Sequence, residues 1–259
     1  MPDKTFLLKI IIFLSLGAFI FSSCVPMKKQ IFMQVKEDTV KSEYINDKKM
    51  DYKLKPGNNL YVQVVSLEED VSDFFNMGYG SSGNMYYDAA IYLNSYSVSD
   101  SGYVEMPFLG KIYVRGLTLG EIKENIQKRV DSYLYNTIVI VKIVNYNISV
   151  VGEVNRPGQF KIYQDKINIF EVLGLAGDMT VYAKRNDVKV IRKTEKGSKI
   201  YSLDLLDDNV LESELYYILP DDIVYVAPVK GRNFAFTSFP YTLVISSISL
   251  TIALFALFK

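Results

Sequence analysis

Charge is missing from two stretches of this 259-residue chain, and they set the limits of what can fold in water. Ile10 to Phe21 is an apolar run, and Asn233 to Phe258 holds no charged residue. The water-soluble core must come from the sequence between them, residues 22–232, enough for one large domain or two small ones. The only cysteine, Cys24, stands at the edge of the first stretch. The body therefore has no disulfide to staple it. Histidine is absent altogether. Its absence removes the usual general base, the nucleophilic triads and the commonest metal ligand.

The N-terminal flanks give the first stretch a meaning. Lys4 and Lys9 flank its start, and the small residues Ser22 and Ser23 follow it. That is the order of a secretory signal, and the run is short of the roughly 20 residues a membrane span needs. "FSSC" is similar to a bacterial lipoprotein signal, with Phe21 where leucine is usual. The resemblance implies cleavage before Cys24 and acylation of its thiol, with residues 1–23 as signal peptide. The part after residue 23 carries 27 basic and 28 acidic residues, so it has no electrostatic footprint for nucleic acid. Residues 24–50 are mostly polar and lack a sustained apolar period, so they are expected to be a tether.

Folded sequence is expected from "YKLKPGNNLYVQVVSL" onward. Pro56-Gly57 marks a turn, and the alternation of Leu60, Val62 and Val64 predicts a strand. Residues 76–97 are rich in Gly, Ser, Asn and Tyr and predict a long exposed loop. Its tyrosines Tyr79, Tyr86, Tyr87 and Tyr92 are candidates for stacking on sugar rings or packing between subunits. Asp100-Ser101-Gly102 is a turn, and Lys111 to Val114 a strand. Thr118 with Glu121 forms a capping box, after which Leu119, Ile122, Ile126 and Val130 mark one buried helical face. "TIVIVKIV", residues 137–144, is a near-continuous β-branched run that predicts a well-buried strand.

A second unit repeats the logic. "ISVVGEVNRPGQFKIY" reads as two strands joined through Asn155-Arg156-Pro157-Gly158. Asn168 and Glu171 form another capping box ahead of a short helix that ends at Gly177. Residues 187–193, 199–203 and 222–228 alternate as strands. The expected fold class is α+β: a domain over 51–146, a β-grasp-like domain over 147–229, and a C-terminal transmembrane helix within 233–259. Pro240 suits that helix's first turn, and Tyr241 to Phe258 would run about 27 Å, enough to cross a hydrocarbon core. Thr242, Ser246, Ser249, Ala253 and Ala256 recur on one face. Such small residues let membrane helices approach one another or line a shared interior.

No catalytic constellation is visible. Glu68-Glu69-Asp70, Asp207-Asp208 and Asp221-Asp222 read as solvated loops and turn caps rather than cation sites. No phosphate-cradling glycine loop and no Cys/His metal spacing is present. Neither a metal nor a cofactor is expected, and no enzymatic activity.

"YKLKPGNNLYVQV" and "VSDSGYVEMPFLGKIYVRGLTLGEIKENI" resemble the polysaccharide-export domain of the outer-membrane polysaccharide export (OPX, Wza-type) family. "VVGEVNRPGQFKIY", "NIFEVLGLAGDM" and "LPDDIVYVAP" resemble the soluble-ligand-binding β-grasp (SLBB) domain that follows it there. Asn58 stands where that family has Asp, and Asp221 where it has Gly. The resemblance implies a ring-shaped homo-oligomer, anchored by acyl chains to the outer membrane, with most of its body in the periplasm. Its terminal helices would cross that membrane in the manner of a porin and pass capsular polysaccharide or exopolysaccharide to the cell surface. Its partners would be the polysaccharide, the bilayer and an inner-membrane polysaccharide co-polymerase. A periplasmic glycan-binding or scaffold lipoprotein with a single inner-membrane helix is the alternative.

Overall fold

The computed structural model describes residues 27–34, 43–46, 52–66, 75–76, 88–194, 196–229 and 241–257. The body holds two hydrophobic clusters. In the first domain, β1 (Asn59–Val65) lies between β2 (Tyr96–Ser97) and β5 (Ile138–Ile143), all antiparallel. A hairpin of β3 (Tyr103–Met106) and β4 (Gly110–Tyr113) and the helix α2 (Leu119–Val130) complete its core. A short helix, α1 (Asp88–Leu93), occupies part of the segment expected to be loop.

Helix α2 begins where expected. The Glu121 amide donates to Thr118 Oγ1, and the Glu121 carboxylate accepts from the Thr118 amide at 2.7 Å. Those two bonds satisfy donors that a helix start leaves orphaned. They also hold the Glu121 carboxyl below its usual range. Ile122, Ile126 and Val130 are buried from this helix, with Leu119 at the margin.

Strand β5 departs from the expectation of full burial. Val139 and Val141 point into the core, but Ile138 is 61% exposed and Ile140 also lies open. It is the edge strand of an antiparallel sheet, which buries one face only. A β-branched run reports strand propensity, not how many faces are covered. Gln127 of α2 closes part of its outer edge, accepting from the Val139 amide at 2.9 Å and donating to the Thr137 carbonyl at 3.1 Å.

The second domain is a five-stranded mixed sheet in the order β10-β9-β12-β6-β7. Its strands are β6 (Asn147–Gly152), β7 (Gly158–Lys161), β9 (Ala183–Thr194), β10 (Gly197–Leu203) and β12 (Ile223–Pro228). Only β12 and β6 run parallel. Helix α3 (Ile169–Leu175) buries Ile169, Val172 and Leu173 in the same cluster as Ile148, Val188 and Val224 from the sheet. A two-residue pair, β8 (Ile167–Asn168) with β11 (Tyr217–Ile218), ties the helix start to the returning chain. Gly152 closes β6 at φ +99°, where a Cβ would fall 2.0 Å from the Val226 carbonyl oxygen. Only glycine lets the parallel strands approach so closely there.

The expected tether is not all tether. Residues 27–34 are laid on the second domain: Met33 and Gln34 amides donate to the Leu205 and Leu206 carbonyls at 3.1 and 2.6 Å. Phe32 packs edge-on against Phe170, with ring centroids 5.8 Å apart. Farther along, Tyr44 donates to the Asp208 carboxylate and Asn46 to the Leu211 carbonyl. Sparse apolar residues such as Phe32 escape a search for periodicity, yet one ring in a groove is enough to seat a strand.

The C-terminal helix, α4 (Tyr241–Leu257), forms where expected but has 17 residues, about 26 Å at 1.5 Å per residue. No helix among the described residues is long and apolar enough to cross a membrane on its own.

Candidate functional site at the domain junction

Where the two domains approach each other, each carries polar groups that are buried and satisfied. Asp222, buried, forms a bidentate pair with Arg192: Nη2 to Oδ2 is 2.6 Å and Nε to Oδ1 is 2.9 Å. Asp222 also accepts from the Leu219 amide at 2.9 Å. Here the reading of the acidic pairs as solvated turns fails, for Asp222 and also for buried Asp208. In sequence a lone aspartate after a turn looks the same whether or not an arginine 30 residues away reaches it.

Around this pair stand Tyr146, whose hydroxyl donates to the Ile218 carbonyl, and Tyr52, whose hydroxyl donates to Asn58 Oδ1 at 3.0 Å. Burial pushes the Tyr52 phenol up to about 12 and drives the Tyr146 phenol higher still, so both act as neutral donors. Asn58 Oδ1 also accepts from the Lys55 amide at 2.8 Å, an acceptor's task that either Asp or Asn performs. Lys55 Nζ reaches the Lys193 carbonyl of the second domain at 3.0 Å. The Lys55–Lys193 bond joins one domain to the other.

Beside it the junction opens into a cleft of ≈ 480 Å³, within the usual size of ligand pockets. The first domain contributes Tyr61 of β1, Tyr92 and Asn94 of α1 and its end, and Lys142 of β5. The second contributes Asn147 of β6 and the loop Ile162–Asp165 after β7. Lys142 Nζ pairs with both Asp165 oxygens at 2.7 Å, joining the two domains at this cleft. Tyr92 is 59% exposed and Tyr163 is 78% exposed. Asn145 belongs to the scaffold instead, accepting from the Asn59 amide at 2.9 Å and donating to the Gly57 carbonyl at 3.0 Å.

Exposed tyrosine faces beside carboxamides and a charged pair suit a ligand with apolar ring faces and many hydroxyls, which is the chemistry of a sugar chain. The arrangement offers no nucleophile–base pair, and among the described residues no group of three acidic, cysteine or histidine side chains could hold a metal.

Of the residues singled out from sequence, the structure places Tyr92 in this cleft. Tyr79, Tyr86, Tyr87 and Cys24 lie outside the described residues. Thr242, Ser246, Ser249, Ala253 and Ala256 are all exposed on α4, and so are Ile245, Ile248, Leu250 and Ile252. The cleft does not include them. Sequence reasoning missed Tyr163, Asn147 and the Lys142–Asp165 pair. Their signal was weak: each sits at or just beyond a strand end, where a side chain is read as solvated by default.

Residues 46–144, the first domain, match the family of polysaccharide biosynthesis/export proteins. The chain is also 28% identical over 204 residues to the EPS I polysaccharide export outer membrane protein EpsA of Ralstonia solanacearum, which covers 75% of this chain and 52% of that protein. The protein of the same description from Ralstonia nicotianae (strain ATCC BAA-1114 / GMI1000) is 29% identical over 116 residues, covering 44% of this chain and 30% of its own. The chain thus spans about half the length, or less, of these curated relatives. Both relatives are named for export and not for catalysis.

Proposed function

We propose that this protein is an outer-membrane polysaccharide exporter that moves exopolysaccharide from the periplasm to the cell surface. The observation that carries the reading is the similarity to EpsA over 204 residues, beside the export-family match over residues 46–144. The lipid anchor at Cys24, the SLBB identity of the second domain, assembly into a ring and docking on an inner-membrane co-polymerase belong to the same proposal. In a ring, the small-residue stripe Thr242, Ser246, Ser249, Ala253 and Ala256 would pack neighbouring α4 helices, and a bundle of them would cross the membrane or line the pore. The cleft would then be a contact for the passing chain, with Tyr92 and Tyr163 as stacking faces.

The test has two arms in the native host. Deleting the protein should abolish surface polysaccharide, with restoration by the parent sequence. Replacing Tyr92 and Tyr163 together by alanine should lower surface polysaccharide several-fold at unchanged protein level. Normal export in the deletion strain would refute the exporter reading and favour a periplasmic glycan-binding scaffold. Normal export in the double variant alone would remove only the cleft from the pathway.

A further inference from the structure

A second cavity, of ≈ 620 Å³, shares no residue with the cleft. Its walls are Lys53 to Pro56 at the start of the first domain, Tyr113, Arg115 and Gly116 from the end of β4 and the turn beyond, and Thr194 at the end of β9. Backbone pairing decides which side chains face it. The Leu54 amide donates to the Leu117 carbonyl and the Gly116 amide to the Leu54 carbonyl, each at 2.9 Å. Tyr52 and Leu54 are buried while Lys53 and Lys55 are exposed, an alternation that puts both lysines on one face. Residues two apart on such a face stand about 7 Å from each other. Val114 is likewise buried between exposed Tyr113 and Arg115. Gly102 holds that segment close: its carbonyl accepts from the Val114 and Arg115 amides, and a Cβ there would fall 2.6 Å from Arg115 Cβ.

The charge around this cavity has one sign. Lys53, Lys55 and Arg115 line it, and among the described residues no carboxylate does; Glu195, next to Thr194, lies outside them. Neither lysine is ion-paired with a described residue. The Lys55 ammonium is held by the Lys193 carbonyl and lies over the Tyr52 ring at 5.9 Å, which leaves donors to spare. The whole chain is balanced, with 29 basic and 29 acidic residues, so the excess is local. Like charges gathered at one hollow repel, and a bound anion relieves that repulsion. In the cleft, by contrast, Asp165 already answers Lys142. Tyr113 adds a ring beside the cations: it is 47% exposed and is held edge-on by its cross-strand partner Tyr103, with centroids 5.1 Å apart. A bare phosphate would use the cations and leave this ring idle. We propose that the cavity binds a sugar residue bearing a carboxylate, its ring against Tyr113 and its charge on Lys53 and Lys55. The polymer that the protein handles is then an acidic one, an inference that rests on the polysaccharide reading above.

The full-length protein in mild detergent would be titrated calorimetrically with trigalacturonic acid and with its methyl ester, which keeps the rings and loses the charges. The acid should bind about tenfold more tightly than the ester, with an advantage that shrinks as salt is raised. Lys53→Gln removes an exposed charge that holds no ion pair, so the fold should stand; it should weaken the acid about tenfold and leave the ester unchanged. Tyr113→Ala should weaken both. The pair Tyr92→Ala and Tyr163→Ala should leave binding of the acid intact, which separates this cavity from the cleft. Loss of the acid in that pair, with Lys53→Gln unaffected, would place the binding in the cleft and overturn the proposal. So would no binding of the acid, equal affinity for acid and ester, or displacement of the acid by an equal concentration of inorganic phosphate. None of these results touches the exporter reading, which stands or falls with the deletion strain.

Discussion

The two ends of the second domain's sheet are held by opposite means. At the junction end the groups are polar and buried, and each is answered by a partner: Asp222 with Arg192 and Leu219, Tyr146 with Ile218, Tyr52 with Asn58. At the far end a strap, residues 27–34, lies on the surface by two backbone bonds and one aromatic ring. A buried charge pair tolerates no partial release, since parting it leaves an unpaired ion in the interior. A strap can lift one contact at a time. The end of the sheet that holds the pair should therefore open only with global unfolding, and the strap by local opening at far lower free energy.

The sharpest way to break this comparison is Asp222→Ala. It strands the Arg192 guanidinium and the Leu219 amide, and should cost about 3–5 kcal/mol. Denaturant unfolding of the full chain in mild detergent would measure it. Arg192→Ala added to Asp222→Ala should cost much less than the two single losses combined, because the stranded ion is gone. A loss under 1 kcal/mol for Asp222→Ala would mean that the junction is no stiffer than the strap.

Next in size is Tyr146→Phe, which removes only a hydroxyl from the junction and leaves the buried Ile218 carbonyl without its donor. The expected cost is about 1–2 kcal/mol. Hydrogen exchange should show the loss spread over both domains. Protection lost only near residue 218 would show that Tyr146 serves the second domain alone.

The contrast between the ends also explains what the sequence made legible. Both capping boxes, the β1 alternation and the Asn155–Gly158 turn are local devices, decided within four residues or one strand, and each stands where it was expected. The strap, the Arg192–Asp222 pair and the cleft are decided by partners 23 to more than 100 residues apart. No periodicity links Phe32 to Phe170, or Lys142 to Asp165. The candidate site was visible only at Tyr92, from the composition of its segment. Tyr163 was hidden because a side chain just beyond a strand end is read as solvated by default. β5 shows the reverse failure: its propensity was plain, but whether its second face is covered depends on the rest of the fold.

The smallest expected effect is the most diagnostic of how the junction is built, and it is a gain. Asp221 holds φ +65°, a left-handed conformation that costs an ordinary residue about 1 kcal/mol and glycine almost nothing. Glycine would hold this geometry without that cost. Desolvation at the junction also raises its carboxyl above the ordinary Asp value of 3.8, against the pull of Lys193 and Lys55. A carboxyl raised in the folded state binds its proton more readily there than in the unfolded chain. Ionising it at neutral pH therefore opposes folding, and stability falls as pH rises through the window above 3.8. Asp221→Gly removes both penalties and keeps the bond from this amide to the Asn147 carbonyl, now 2.9 Å. The variant should melt about 2–4 °C higher at pH 7. Below the ordinary carboxylate range the electrostatic share should vanish and leave only the conformational gain. A gain that does not shrink as the pH falls would assign the whole effect to backbone strain, and would show that the junction does not desolvate this carboxyl at all.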